Sequence, residues 1–383
     1  MRIAILTGGG DVPGLNACIK AITIGAVRLG WEVVGFRRGW AGPLNYNHAD
    51  ADQREGELIR LTADRVRTID RFGGTMLHTS RTNPGKLKAS ELPAFLNGKM
   101  SRTGDNFDAT PHILRVLEDL KIDVLIAIGG DDTLSYAARL HHEGVDVMAV
   151  PKTMDNDVFG TDYCIGFSTA VSRSVESVHA LRTPAGSHER IAVIELFGRN
   201  SGEAALITGY LAGPDRTLIA EVPFNVGKLA ELLEEDRAAN SSKYAMVVLS
   251  EGSRLDNGET LEQGPQDAYG HRKLGGIGEV VGAEIARLTG TGVLNQKLGY
   301  LMRAGPPDTL DLMVAKNYGA MVVQLLDEGK RGLMTALCGG NYSAVSVGSC
   351  VQGTRRVDVA ALYDVEAYRP RIARVTGKPM FLY

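Results

Sequence analysis

An α/β protein of two lobes is the fold class that three features of the sequence predict. The chain has 383 residues and 41.1 kDa, more than one hydrophobic core usually serves. Short apolar runs alternate with segments of helical spacing along most of its length, the pattern of a parallel sheet with crossover helices. Two of those runs end in a glycine turn carrying aspartate, Gly8-Gly9-Gly10-Asp11 and Gly129-Gly130-Asp131-Asp132. In open α/β sheets, ligands bind outside such strand ends.

The elements follow in order. Arg2 to Leu6 is an apolar strand that stops at the first glycine turn, and Asn16 to Leu29 carries Ile19, Ile22, Ala26 and Leu29 on one helical face. Trp31 to Phe36 is a second strand, so the chain opens as strand, turn, helix, strand. Asp123 to Ile128 repeats the theme into the second turn, followed by a helix from Leu134 to His142 and a strand from Val145 to Val150. Helices over Thr169–Leu181, Gly202–Leu211 and Lys228–Ala239 alternate with strands at Arg190–Glu195, Leu218–Glu221 and Tyr244–Leu249. Asp256 to Gly275 is polar and broken by glycine, a surface loop. Helices at Gly278–Leu288 and Asp308–Leu326 and a strand-like tail from Ala336 to Gly348 complete the chain. No linker-like segment divides it, so the lobes exchange chain more than once.

Composition narrows the function. Lys and Arg number 42 against 45 Asp and Glu, a net charge of −3, which offers no general attraction for nucleic acid or anionic lipid. Any phosphate must be held by a local constellation. Mean hydropathy is −0.06, and no apolar run approaches the roughly 18 residues of a membrane span. Four cysteines, Cys18, Cys164, Cys338 and Cys350, lie apart without metal-knuckle spacing. With no leader-like start, a reduced, cytoplasmic setting is expected. Glycine is abundant, 46 residues against the usual ~7%, and its positions matter.

Three turns suit a phosphoryl group. In Gly8 to Asn16, glycines let backbone amides approach an anion, and the following helix start adds free amides and partial positive charge. The turn is neither a Walker loop nor a dinucleotide fingerprint. In Gly129 to Thr133, two adjacent carboxylates beside a phosphate site suit Mg²⁺, which takes one or two carboxylates plus substrate oxygens. The third, Pro151-Lys152-Thr153-Met154-Asp155-Asn156-Asp157, follows a buried-looking strand yet holds a lysine, a hydroxyl and two aspartates. Phosphoryl transfer needs a positioned acceptor, cations and a carboxylate to take a hydroxyl proton. Lys152, Asp155 and Asp157 offer these in one loop.

Taken together, the three turns resemble the 6-phosphofructokinase family. LHTSRTNP (Leu77–Pro84), GFSTA (Gly166–Ala170), SHERIAVIELFGRNSG (Ser187–Gly202), LSEG (Leu249–Gly252) and LGYLMRAG (Leu298–Gly305) extend the match along most of the chain. The resemblance implies two Rossmann-like three-layer α/β lobes with the active site in the cleft between them. It divides the chain into a phosphoryl-donor lobe, 1–166 plus about 302–352, and a sugar-phosphate lobe, 167–301 plus about 353–383. The implied reaction phosphorylates the 1-hydroxyl of fructose 6-phosphate. Asp155 would be its base, Asp157 a supporting carboxylate, Lys152 a catalytic cation, and Asp131 the acid that organises Mg²⁺. Gly10, Arg81, Asp132 and Thr133 would bind the donor. Thr153, Arg190, Phe197, Gly198, Arg199, Glu251, Tyr300 and Arg303 would line the sugar-phosphate pocket, where guanidinium forks match a phosphate monoester.

The family is divided between ATP and diphosphate as donor. ATP-using members resemble GGDG at the second turn, whereas this chain reads GGDD. The Asp132 carboxylate takes up the volume of a nucleotide's α-phosphate and repels its charge. Lys152, where many ATP users have glycine, suits a small, highly charged donor. Tyr136 stands where nucleotide users carry a glycine beside the ribose, and doubles as an ordinary helix-packing residue. Diphosphate is the expected donor, with a reaction that runs readily in both directions. Ile24 occupies an effector-arginine position, so no nucleotide activator is expected. Leu294 stands where an arginine from the next subunit would reach the 6-phosphate, leaving Lys297 as a substitute. Arg190 reaching a neighbouring site would require a homodimer or homotetramer. An ATP-dependent phosphofructokinase and a non-catalytic sugar-phosphate sensor on the same fold stay open as alternatives.

Overall fold

The structure, a computed structural model, describes residues 1–256, 262–263, 273–274, 276–372 and 374–377. Most of the surface loop expected over Asp256–Gly275, and the extreme C-terminus, therefore lie outside the described residues.

Strand Arg2–Thr7 is apolar on both faces and is buried on both, as a central parallel strand must be. It sits within a seven-stranded sheet ordered Asn341–Ser346, Leu333–Cys338, Val147–Pro151, Val124–Gly129, Arg2–Thr7, Glu32–Phe36, Leu58–Leu61. The five inner strands are parallel, and each edge strand is antiparallel to its neighbour. A second sheet of four parallel strands runs Val293–Lys297, Ile191–Leu196, Ala245–Ser250, Arg216–Leu218. Helices cover both sheets, giving the two-lobed α/β class that the alternation predicts.

Helix Leu15–Arg28 lies against Thr309–Asp327 on one face of the larger sheet. Helix Phe167–Ser187 leads the chain from the larger lobe to the smaller. Its cap, Gly166, has φ 103°, and a Cβ there would come within 2.5 Å of Val12. Only glycine fits that turn. The chain returns to the larger sheet with Leu333–Ser346, then crosses again. Thr217 N donates to Tyr368 O (2.8 Å), and Val357, Leu362 and Tyr363 pack with Leu206 and Ile219 of the smaller lobe.

Some boundaries differ from expectation. The strand expected at Leu218–Glu221 is Arg216–Leu218, set by pairing with Ala245–Ser250. The helix expected over Thr169–Leu181 runs on to Ser187 with Pro184 inside it. The tail expected as strand is a hairpin, turning at Gly339 and Gly340. Helix Thr110–Asp119 and edge strand Leu58–Leu61 were not anticipated. The edge strand is held by four register pairs to Val33–Phe36 rather than by its own pattern.

Candidate active site

The three sequence turns converge at the carboxyl ends of adjacent strands Arg2–Thr7, Val124–Gly129 and Val147–Pro151. Gly8 N donates to Ile128 O (3.0 Å), and Lys152 N donates to Gly129 O (2.9 Å), so each turn is tied to the next. Thr133 fills the angle between the first two: a Cβ on Gly8 or Gly129 would come within 2.5 or 2.3 Å of its side chain. Lys152 Nζ crosses to the first turn and donates to Gly10 O at 2.7 Å. Glycine there leaves room for Arg303, whose Nη1 would stand 2.6 Å from a Cβ on Gly10. Arg81, beside Ser80, whose carbonyl accepts from Gly9 N (3.0 Å), is exposed at the edge of the first turn.

Electrostatically, this corner is acid-rich with one buried cation. Lys152 is 3% exposed, and burial, followed by repulsion from Arg303, lowers its ammonium to about 8. Asp131 is pushed well above the carboxylate range by burial and then by Asp157, Asp132 and Asp155. Asp155 is raised by burial and then by Asp157, and Asp157 by burial. One oxygen of Asp131 and one of Asp155, Oδ1 in each case, is buried without a hydrogen-bond partner. Such a cluster calls for a cation or a substrate hydroxyl.

The smaller lobe faces these carboxylates with the segment after strand Ile191–Leu196. Arg199 N donates to Asp155 Oδ2 (3.3 Å) and Asn200 Nδ2 to Asp157 Oδ2 (3.4 Å). Gly198 has φ 140°, and a Cβ there would come within 2.5 Å of Ser250. Glu251 N donates to Leu196 O (2.8 Å), and burial, then Asp155, pushes the Glu251 carboxyl up to about 8. Thr153 Oγ1 accepts from Asp155 N (3.2 Å). Phe197, Tyr300 and Arg303 form a stack, with Arg303 4.8 Å above the Tyr300 ring and Phe197 edge-on to it.

Several expected residues have partners that the sequence does not announce. Arg303, stacked on Tyr300, also turns its Nη1 to the carbonyl (2.7 Å) and carboxylate (2.9 Å) of Asp11 in the first turn. Lys297 donates to Glu195 Oε1 (2.5 Å) within its own lobe. Glu195 is 2% exposed and also accepts from Gly278 N. Arg190 is exposed, immediately before the start of strand Ile191–Leu196. Tyr136 is buried, its ring edge-on to Trp40 at 4.8 Å and its hydroxyl 3.0 Å from that of Thr110. Sequence reasoning missed Trp40, Asp11, Glu203 and Arg355. Of these, only Asp11 belongs to one of the three turns.

A two-lobed α/β protein with glycine turns, buried cation and aspartates at one set of strand ends is built for phosphoryl transfer. Residues 2–326 match the Phosphofructokinase family, and the chain belongs to that family and is a phosphotransferase. It is 37% identical over 370 residues to the pyrophosphate–fructose 6-phosphate 1-phosphotransferase of Amycolatopsis mediterranei, covering 96% of this chain and 99% of the relative. The enzyme of that name from Thermoproteus tenax is 35% identical, with 97% and 100% covered. ATP-dependent 6-phosphofructokinase 3 of Streptomyces coelicolor is 34% identical, with 96% and 99% covered. Among solved structures, the pyrophosphate-dependent phosphofructokinase of Marinobacter aquaeolei superposes with a TM-score of 0.76 at 20% identity, over 97% of this chain and 89% of that one. That likeness is one of fold.

Proposed function

We propose that the protein transfers a phosphoryl group from diphosphate to the 1-hydroxyl of fructose 6-phosphate, giving fructose 1,6-bisphosphate and phosphate. The observation that carries the donor choice is the second turn. Asp132 adds a carboxylate at the start of helix Asp131–His142, and one turn later Tyr136 and Trp40 fill the adjoining space with buried rings. A nucleotide would meet charge and bulk there, whereas diphosphate ends before it. The relatives named for pyrophosphate support this reading.

In the proposed mechanism Asp155 accepts the proton of the sugar's 1-hydroxyl. The deprotonated 1-hydroxyl oxygen of the sugar bonds the transferred phosphorus as the bridging P–O bond of diphosphate breaks, and phosphate departs. Lys152 and Arg81 offset charge on the phosphoryl oxygens, with Gly10 and Thr133 shaping the donor bed. Mg²⁺ fits the hard, oxygen-only donor set at Asp131, whose buried Oδ1 lacks a partner. When bound, it would neutralise donor charge. Thr153, Phe197, Gly198, Arg199, Glu251, Tyr300 and Arg303 hold the sugar phosphate, with Asp157 supporting Asp155.

The same reading divides the lobes at 1–166 plus about 302–352 and 167–301 plus about 353–383. It also makes the protein a homodimer or homotetramer, in which the exposed Arg190 completes a neighbour's site. Lys297, occupied by Glu195, does not replace the arginine missing at Leu294. The test is initial velocity with Mg²⁺ and fructose 6-phosphate, diphosphate and ATP being supplied in parallel. Turnover with diphosphate, and its resynthesis from fructose 1,6-bisphosphate and phosphate, is expected. Turnover with ATP alone would overturn the donor assignment.

A further inference from the structure

Asn156 lies between the two aspartates of the third turn. It is fully buried, with φ 55°, a left-handed conformation that asparagine adopts more readily than other non-glycine residues. Its side chain is pinned at both ends. Nδ2 donates to Asp162 O (3.0 Å) and Glu203 Oε1 (3.1 Å), and Oδ1 accepts from Cys164 N (2.7 Å).

Glu203 opens helix Glu203–Ala212 in the smaller lobe and is 2% exposed. Its Oε2 accepts from Arg355 Nη1. That guanidinium nitrogen also donates to Asn156 O (3.0 Å). Arg355 N donates to Asp157 O (2.9 Å), and Thr354 bridges antiparallel to Val158. Positions 156, 157 and 158 are thus all gripped by 354–355. This segment lies beyond the stretch that matches the family.

We propose that Glu203 and Arg355 are positioning residues for phosphoryl transfer: their buried ion pair locks the backbone at Asn156 and Asp157 and so aims the carboxylates of Asp155 and Asp157. The inference rests on the reading of Asp155 as base. A buried pair is a poor source of net stability compared with apolar replacements. A misaimed carboxylate, by contrast, costs rate directly.

The experiment compares Arg355→Met, Arg355→Lys, the double variant Glu203→Gln/Arg355→Met, and Asp155→Asn. Each is assayed at saturating Mg²⁺, diphosphate and fructose 6-phosphate, beside thermal unfolding. Arg355→Met is expected to lower kcat by about 10- to 100-fold with both KM values within about threefold of wild type. Arg355→Lys should recover part of that. The double variant leaves no unpaired buried charge, so its Tm should return towards wild type while kcat stays low.

Recovery of kcat together with Tm in the double variant would make the pair merely structural and overturn the proposal. If Arg355→Met fails to fold, the double variant and Arg355→Lys decide the question. A dead Asp155→Asn beside a fully active Arg355→Met sinks the positioning role alone, while an active Asp155→Asn removes the base on which it rests.

Discussion

Lys152 Nζ donates to the carbonyl oxygen of Gly10 across 2.7 Å, joining two turns that lie more than a hundred residues apart. The bond holds a buried ammonium at the floor of the donor bed. Burial, then Arg303, lowers that ammonium to about 8, so it is charged below pH 8 and neutral above. A donor carrying several negative charges needs the charged form. The alkaline limb of kcat/KM for diphosphate is therefore expected near pH 8, and Lys152→Arg should move it upward, since guanidinium stays protonated. The substrate's own titration is common to both enzymes. Superimposable pH profiles would separate Lys152 from the donor charge.

Asp155→Asn keeps the shape of the side chain and removes the proton acceptor. Turnover is expected to fall by about 10²- to 10⁴-fold, the usual yield of a general base, with KM for fructose 6-phosphate nearly unchanged. Steady-state kinetics in both directions check this, since one carboxylate must also return the proton in reverse. Near-normal turnover would remove Asp155 from the chemistry.

Donor choice is testable at the second turn. Asp132→Gly removes the carboxylate, and adding Tyr136→Ala empties the ring that packs on Trp40. The single variant should weaken diphosphate use, and the pair should admit ATP slowly. Opening that core site costs about 3–5 kcal/mol, so assays belong well below the variant's Tm. An unchanged ratio of kcat/KM for the two donors would place the discriminator elsewhere.

The strand–turn–helix opening and all three glycine or aspartate turns were legible because each is local: apolar runs, punctuating glycines and clustered charges appear within a dozen residues. What escaped is what only folding brings together. Arg355 reaches Asn156 and Glu203 from a stretch with no motif, and Trp40 meets Tyr136 from another strand end. Lys297 is expected from sequence to substitute for the arginine missing at Leu294 because nothing in its neighbourhood announces Glu195, which approaches through parallel pairing of Val293–Lys297 with Ile191–Leu196. The edge strand Leu58–Leu61 likewise owes its state to a neighbour.

Asp311 supplies the last prediction. It is fully buried in helix Thr309–Asp327 and accepts four hydrogen bonds from the segment that leads into helix Phe167–Ser187 and from that helix's first turn. Tyr163 hydroxyl (2.7 Å) and Gly166 N (2.8 Å) donate to Oδ1, and Thr169 N (2.8 Å) and Thr169 Oγ1 (2.6 Å) donate to Oδ2. No carbon side chain replaces four acceptor contacts, so Asp311→Ala leaves several buried donors unpaired. A loss of about 3–5 kcal/mol is expected, as when one partner of a buried polar set is removed. Denaturant unfolding measures it. Because this carboxylate fixes the entry of the helix that joins the lobes rather than touching the three turns, kcat of the folded fraction should fall less than in Asp155→Asn. A variant as stable as wild type would mean that the four contacts contribute nothing net, and that the helix entry is held by packing around Gly166 alone.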